Sequence, residues 1–344
     1  MARKLKQTSV VSKLTKRLWY IAGLSFSIAL VAMYLVGTAR IENLTIKSTI
    51  KMVEDNARLL EGRLDKYFML VDTISADERL CDPEGGFDEK ENVLRGYVDL
   101  YGEKYGVKSI GYIDLEGQLT STDGFENNIS DRDYFKDLMQ DKKYISSPSY
   151  NINTGQQIIF MGASLKQGTQ VVGAITCTFD GKFLSDMIQD LEYLQEGKSY
   201  VLDKQGTVIA SNNSSEVAER YNVIKELEQD PTLTHLEDIA KVHQKMIEGG
   251  EGAELINDGM NKYIVYHDIP YSQGWSLAFE VKRKDIISEV AAIATVNALS
   301  CSIAMILLCI GMVITAKPLG KRLNYLKDEI DKMAQGDFTI KLNT

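Results

Sequence analysis

The residues best equipped for chemistry in this chain are suited to recognition. One cluster stands out, Ile-Ser-Asp-Arg-Asp-Tyr-Phe at 129–135. Arg132 offers a planar, five-donor fork that matches a carboxylate. Asp131 precedes it, and Tyr134 and Phe135 follow it. Tyr150 lies downstream, and Asp180 closes the run Cys-Thr-Phe-Asp. An aspartate suits an ammonium group, and tyrosines add apolar area with a polar tip. Together they suit a polar pocket for a small charged molecule. Each residue also has a plainer reading. Ser130 can cap a helix whose acidic first turn holds Asp131 and Asp133. Arg132 is then a surface charge or an internal salt bridge, and Tyr134 and Phe135 are core. Tyr150 is then an edge-strand residue, and Asp180 caps the helix that continues through Gly181–Leu191.

No catalytic constellation accompanies this cluster. His235, His243 and His267 are scattered, with no metal-ligand spacing to Cys or carboxylate, so no metal is expected. His235 and His243 fall on a charged helical stretch and read as solvated; His267 falls in a strand pattern and reads as packed or edge. No glycine-rich phosphate loop is present, and no cofactor is implied. The chain reads as a non-enzyme.

The elements that must position these residues follow from periodicity. Apolar residues at Ile46, Ile50, Val53, Ala57, Leu60, Leu64, Tyr67, Val71 and Ile74 alternate steps of 4 and 3. That is a seam of period 3.5 on a long helix, packed on the chain's own sheets, on a dimer partner, or on both by different faces. Two segments then repeat: Ser109–Ser121 and Lys198–Ser211 each read strand, Asp-x-x-Gly turn, strand. Asp114 and Asp203 are turn residues in this reading, with Gly117 and Gly206 supplying positive φ. Gln156–Leu165 with Val171–Phe179, and Lys262–Ile269 with Trp275–Val281, read as hairpins rich in β-branched and aromatic residues. Helical stretches at Asp131–Lys142 and Ser215–Glu248 separate the halves. The expected fold class is α+β, two antiparallel-sheet modules carried on a long N-terminal helix.

The 344-residue chain is too long for one compact domain. Uncharged runs at 18–39 and 290–316 are each long enough to cross a bilayer. Residues 1–17 carry six cations and no acid, and residues 317–344 carry six cations against four acids. The positive-inside rule puts both ends in the cytoplasm and residues 40–289 outside. The stretch between the basic ends holds 27 basic and 44 acidic residues. Nucleic acid is thereby excluded as a partner, since phosphate binding needs clustered cations. Of the cysteines, Cys301 and Cys309 read as apolar filler in the second span. Cys81 and Cys177 either pair or stay buried and free, with a free thiol favoured at Cys177 by its apolar run.

Two spans, a long helix and two sheet modules resemble the double-Cache sensor region of bacterial transmembrane receptors over about Ile41–Ile287. The local match is Ile129–Phe135 followed by Ile145–Leu165, similar to that family's Arg-bearing helix start and Ser-x-Pro-x-Tyr…Thr-Gly stretch. The ending Gly-Trp at 274–275 is similar to its last strands. The resemblance implies PAS-like (Cache) modules: a helix at 40–80, a membrane-distal module at 81–192 and a membrane-proximal module at 193–289. It also implies that the distal module holds the ligand. In amino-acid-binding members the Arg position, here Arg132, grips the ligand carboxylate with a neighbouring aromatic. Tyr150 falls at the strand Tyr and Asp180 at the amine-binding Asp. The departures are Asn127 for an upstream Tyr, Tyr134 for Trp and Phe135 for Tyr. The implied ligand is a small polar extracellular molecule: an amino acid, a carboxylate or an amine.

The tail at 317–344 resembles the first helix and connector of a HAMP domain. Leu319, Leu323, Leu326, Ile330 and Met333 form a heptad seam after Pro318, and Gly336-Asp337 follows. The resemblance implies a homodimeric, two-pass chemoreceptor of the methyl-accepting type, its output module lying beyond these residues. The alternatives are the sensor half of a histidine kinase or diguanylate cyclase, or an interaction protein without a working pocket.

Overall fold

The computed structural model describes residues 10–82, 85–151, 154–189, 191, 197–257, 261–270 and 272–334. The chain divides into two units: residues 46–284, and the terminal segments 1–45 with 285–344. In chain order the elements are α1 (Val10–Ser75), α2 (Phe87–Tyr105), β1 (Ser109–Ile113), β2 (Gln118–Ser121), β3 (Glu126–Asn128), α3 (Asp133–Met139), β4 (Tyr144–Ile145), β5 (Ser149–Tyr150), β6 (Gln157–Gln167) and β7 (Gln170–Asp180). There follow α4 (Phe183–Gln189), β8 (Lys198–Leu202), β9 (Val208–Ser211), α5 (Ser214–Ala218), α6 (Val223–Gln229), α7 (Glu237–Glu248), β10 (Glu251–Ile256), β11 (Lys262–Asp268), β12 (Ser276–Lys282) and α8 (Arg283–Ala334).

Two antiparallel sheets organise the 46–284 unit. The first runs β3-β2-β1-β7-β6-β4, with β5 also on β6; the second runs β10-β11-β12-β8-β9. The fold is α+β. Asp114 and Asp203 sit in matching turns. Each carbonyl accepts the glycine N–H three residues on, and each Oδ1 accepts two further backbone N–H groups. Gly117 and Gly206 adopt φ of 81° and 78°, as the turns require.

The long-helix seam packs on the chain itself. Val53, Ala57, Leu60, Leu64, Val71 and Ile74 are all buried. Tyr67 meets Phe179 of β7 and Phe183 of α4 edge-on, with ring centroids at 5.5 and 4.6 Å. A strand alternates its faces, so Cys177 and Phe179 point to the buried side, and Thr176 and Thr178 point to the other. Cys81 and Cys177 are both free and buried. Burial alone pushes the Cys177 thiol up to about 12.

Two sequence expectations are corrected. α3 starts at Asp133 with Arg132 in the capping position, and Ser130 instead donates to Asn128 Oδ1 at 2.6 Å. His243 is buried, not solvated: α7 turns it inward beside Val242 and Met246. The charged stretch 215–248 holds α5, α6 and α7, helical as expected. The sequence reading also passed over α2. Its Lys90 is 1% exposed, and its ammonium donates to the carbonyls of Asp82 and Gly85 and lies 3.2 Å from Tyr112 Oη.

Among the described residues, Trp19–Ser75 is the one helix long and apolar enough to cross a membrane. Thr295–Gly311 within α8 is apolar but shorter. Pro318 lies inside α8. The basic residues Arg3, Lys4 and Lys6, the module boundary at 192–193 and the Gly336-Asp337 connector lie outside the described residues.

Candidate functional site

The first sheet carries a cavity of about 290 Å³ on the face opposite α1. Its floor comes from registered strand positions. Ser109 of β1 pairs with Thr178 of β7, and Gly111 pairs with both Thr176 and Ser121. Ser109, Ser121, Thr176 and Thr178 all line the space, so four hydroxyls form one polar floor. Gly111 is what keeps that floor open. A Cβ there would come within 2.5 Å of Leu119 Cδ1 and 2.8 Å of Thr176 Oγ1.

α3 supplies the wall that carries the arginine. Leu138 is fully buried and seats against Gly162 of β6, where an added Cβ would approach its methyls at 3.1 Å. Ser164 Oγ donates to the Leu138 carbonyl at 2.5 Å and ties the helix end to the sheet. This anchoring holds Arg132 and Tyr134 at the cavity. Tyr134 packs its ring 4.9 Å from Phe160 and 5.3 Å from Tyr144. Burial pushes its hydroxyl up to about 12, so it is a neutral donor at physiological pH. Arg132 keeps a 3.6 Å ion pair with the exposed Asp131, an arrangement of little energetic weight. Its guanidinium is therefore not committed to a buried partner.

Of the six residues singled out from sequence, Arg132, Tyr134 and Tyr150 line the cavity. Asp131, Phe135 and Asp180 are not among its walls. Phe135 packs against the cluster of Ile113, Leu119, Ile129, Leu138 and Ala174. Asp180 is exposed, and its Oδ1 accepts the Lys182 N–H at 3.0 Å, an Asx turn leading into α4. Among the described residues, the carboxylate on the cavity wall belongs to Asp123, in the turn between β2 and β3. Sequence reasoning missed Asp123 and the hydroxyl floor. It noted Asn127 only as a departure, yet Asn127 also lines the space.

The double-Cache family model, described as a Cache domain, matches residues 37–290. The chain belongs to the Cache domain family. A search of curated proteins found no match. Among solved structures, it is similar to the ligand-binding domain of the Pseudomonas aeruginosa PAO1 amino acid chemoreceptor PctC in complex with GABA. That match has TM-score 0.52 and 15% identity, over 69% of this chain and 100% of that one. The ligand-binding domain of the Pseudomonas fluorescens chemoreceptor CtaA with L-isoleucine gives TM-score 0.54 and 15% identity, over 73% and 98%. The sensory domain of the Campylobacter jejuni chemoreceptor Tlp3 with isoleucine gives 0.51 and 8%, over 74% and 98%. At these identities the likeness is one of fold.

Within this Cache region the cavity wall touches the second module directly. Tyr150 Oη donates to the Ala218 carbonyl of α5 at 2.8 Å. Gln157 Nε2 donates to the neighbouring Val217 carbonyl at 3.2 Å. Ser147 Oγ donates to Asp203 Oδ2, in the second module's turn, at 3.1 Å. Val217 belongs to the second module's core, with Tyr200, Val242 and Ile264.

Proposed function

We propose that the chain is the sensor portion of a transmembrane chemoreceptor that binds a small extracellular amino acid or related amine-carboxylate in its first, membrane-distal Cache module. The observation that carries this reading is the cavity itself. It is about 290 Å³, small enough for a single metabolite, and lined by one guanidinium, one carboxylate and a hydroxyl floor. In this reading Arg132 takes the ligand carboxylate, Asp123 takes the amine, and Tyr134 and Tyr150 cover the remainder. The solved structures of similar fold hold GABA and isoleucine, which favours the same ligand class. Enzymatic activity forms no part of this reading.

Signal transfer rests on Tyr150. A ligand that draws its hydroxyl away from Ala218 weakens one of the bonds joining the modules. The ligand can bias the modules only by its differential affinity for their two arrangements. The shift passes through α8 and the second span at 290–316 to the HAMP-like helix at 317–344. The methyl-accepting output and the homodimer belong to this proposal. With the 3.5-period seam buried in the chain, the dimer face would be another stripe of α1, where Leu59 and Met69 are exposed.

The test is a thermal-shift screen of residues 40–289 against amino acids, carboxylates and amines. A ligand that binds only the folded state raises the melting temperature. The expected hit disappears in Arg132→Ala. An absence of any hit in a folded protein removes the direct-sensor reading and leaves an interaction module.

A further inference from the structure

Three side chains far apart in sequence meet at the second module, away from the cavity. Glu251 of β10 and His267 of β11 are directly opposite partners in the ladder, so they share a face. Glu54 of α1 joins them, and one ligand-type atom from each lies within 4.8 Å of the others. We propose that Glu54, Glu251 and His267 form a site for a divalent first-row transition metal, zinc being the representative case.

The imidazole carries the reasoning. Its Nδ1 lies 2.7 Å from the Asp268 carbonyl and 3.1 Å from Asp268 Oδ1. Both are acceptors, so in the neutral imidazole Nδ1 holds the hydrogen and Nε2 presents its lone pair. This is the tautomer lock that metal-binding histidines receive from an outer carbonyl or carboxylate. The Nε2 lone pair faces Glu251 Oε2 at 3.7 Å. That gap is too long for an N–H···O bond, which spans about 2.7–3.2 Å. It is close to the roughly 3.3 Å between two ligands of one tetrahedral zinc at about 2.05 Å. Two carboxylates and a lone-pair nitrogen facing one another offer a ligand set that one cation can bridge.

The outer partners fit as well. Glu54 is held by Lys51 at 2.9 Å and by Arg58 at 2.6 Å, so its carboxylate is already oriented on the helix. His267 and Glu54 have side chains only 15% and 19% exposed, while Glu251, at 58%, leaves a route for entry. Imidazole with carboxylates selects zinc or its neighbours over calcium, which takes oxygen ligands. Three protein ligands leave a position for water. A bound ion would bolt α1 to the edge of the second sheet, giving the receptor an input separate from its cavity.

The test uses the full chain in lipid nanodiscs, stripped with a chelator and titrated with zinc chloride alone at pH 7.5. One zinc per chain is expected, with a rise in melting temperature. Cobalt in its place should give a visible absorption band. Glu251→Gln and His267→Gln should each weaken binding at least tenfold, while Arg132→Ala leaves it unchanged. The melting temperatures of the metal-free variants show that they fold. A folded wild type that takes up no zinc overturns the proposal, as does zinc binding indifferent to both substitutions. So does a site stabilised by acidification to pH 5.5 in place of metal, because a proton then bridges the groups.

Discussion

Asp123 and Asp180 make opposite predictions, and the Cache family pattern points to the second. Geometry points to the first. Asp123 lies on the cavity wall, and one of its oxygens accepts the Phe125 N–H at 3.3 Å. Asp180 shares the strand face of Thr176 and Thr178 but lies one step beyond the wall, where it closes an Asx turn with Lys182. A hydrogen bond to a charged group is worth roughly 1.5–3 kcal/mol. Asp123 is exposed, which places it toward the lower end. Asp123→Asn should therefore weaken an amine-bearing ligand roughly 10- to 30-fold at about 1.4 kcal/mol per decade. Asp180→Asn should change affinity less than about threefold and cost under ~0.5 kcal/mol of stability, as surface substitutions do. Isothermal titration with the ligand found in the thermal-shift screen measures both. A ligand lacking the amine should bind Asp123→Asn and wild type alike. If Asp180→Asn abolishes binding while Asp123→Asn does not, the assignment of the amine site to Asp123 is wrong.

Three further outcomes follow from the same geometry. Gly111→Ala inserts a methyl against Leu119 and Thr176. Overpacking of about 1–3 kcal/mol lowers the melting temperature by roughly 2–12 °C and closes the floor, so binding and stability fall together in calorimetry. Tyr150→Phe removes the 2.8 Å bond to Ala218 while keeping the ring at the cavity. The cost is about 0.5–1 kcal/mol, and hydrogen exchange at α5 should lose its response to ligand. His243 is held neutral, down to about 3, chiefly by burial and then by Lys198 and Lys262. Its folded value lies below the ordinary 6.5, so its contribution is complete above pH 6.5 and is lost as pH falls toward 3. Between pH 6.5 and 5 that adds a slope of up to about 1.4 kcal/mol per pH unit. Melting curves of His243→Gln should be flatter over that range; an unchanged slope would assign the acid sensitivity to other groups.

Regular features were legible in the sequence, and features created by chain crossings were not. The 4-3 seam predicted the buried stripe of α1, because one helix face repeats every turn. The paired Asp-x-x-Gly turns were equally readable, since the glycine's positive φ and the aspartate's backbone bonds are local requirements. His243 could have been placed correctly. Ile239, Val242, His243 and Met246 follow the 3-and-4 spacing of one helix face, and the charges around them obscured it. Asp123 gave no such signal, because a turn aspartate looks the same whether or not a cavity lies beneath it. The hydroxyl floor depends on which residues β1, β2 and β7 place side by side, and only the register decides that. The meeting of Glu54 with Glu251 and His267 likewise has no local signature.

The internal repeat explains why the sheet face that carries the cavity in the first module is filled at the equivalent position of the second. Aligning Asp114 with Asp203 places Gly111 opposite Tyr200, each three residues before the turn. Gly111 pairs with Thr176, and Tyr200 pairs with Ala278. Two positions earlier, Ser109 pairs with Thr178 where Lys198 pairs with Glu280. The first module thus has a glycine and hydroxyls where the second has a fully buried tyrosine and an ion pair. Tyr200 Oη reaches His243 Nε2 at 3.1 Å, and together they fill the space that is open in the first module. Lys198 is shared between Glu216 at 2.7 Å and Glu280 at 3.7 Å, and Lys262 holds Glu280 at 2.8 Å. A ligand entering there would have to displace a buried side chain and break that network, whereas in the first module it meets a ready-made polar floor. In the proposed function, the copy whose sheet face is filled is the part that is moved. The copy whose sheet face is open is, in the same reading, the part that receives, and Tyr150, bonded to Ala218, sits where the two meet.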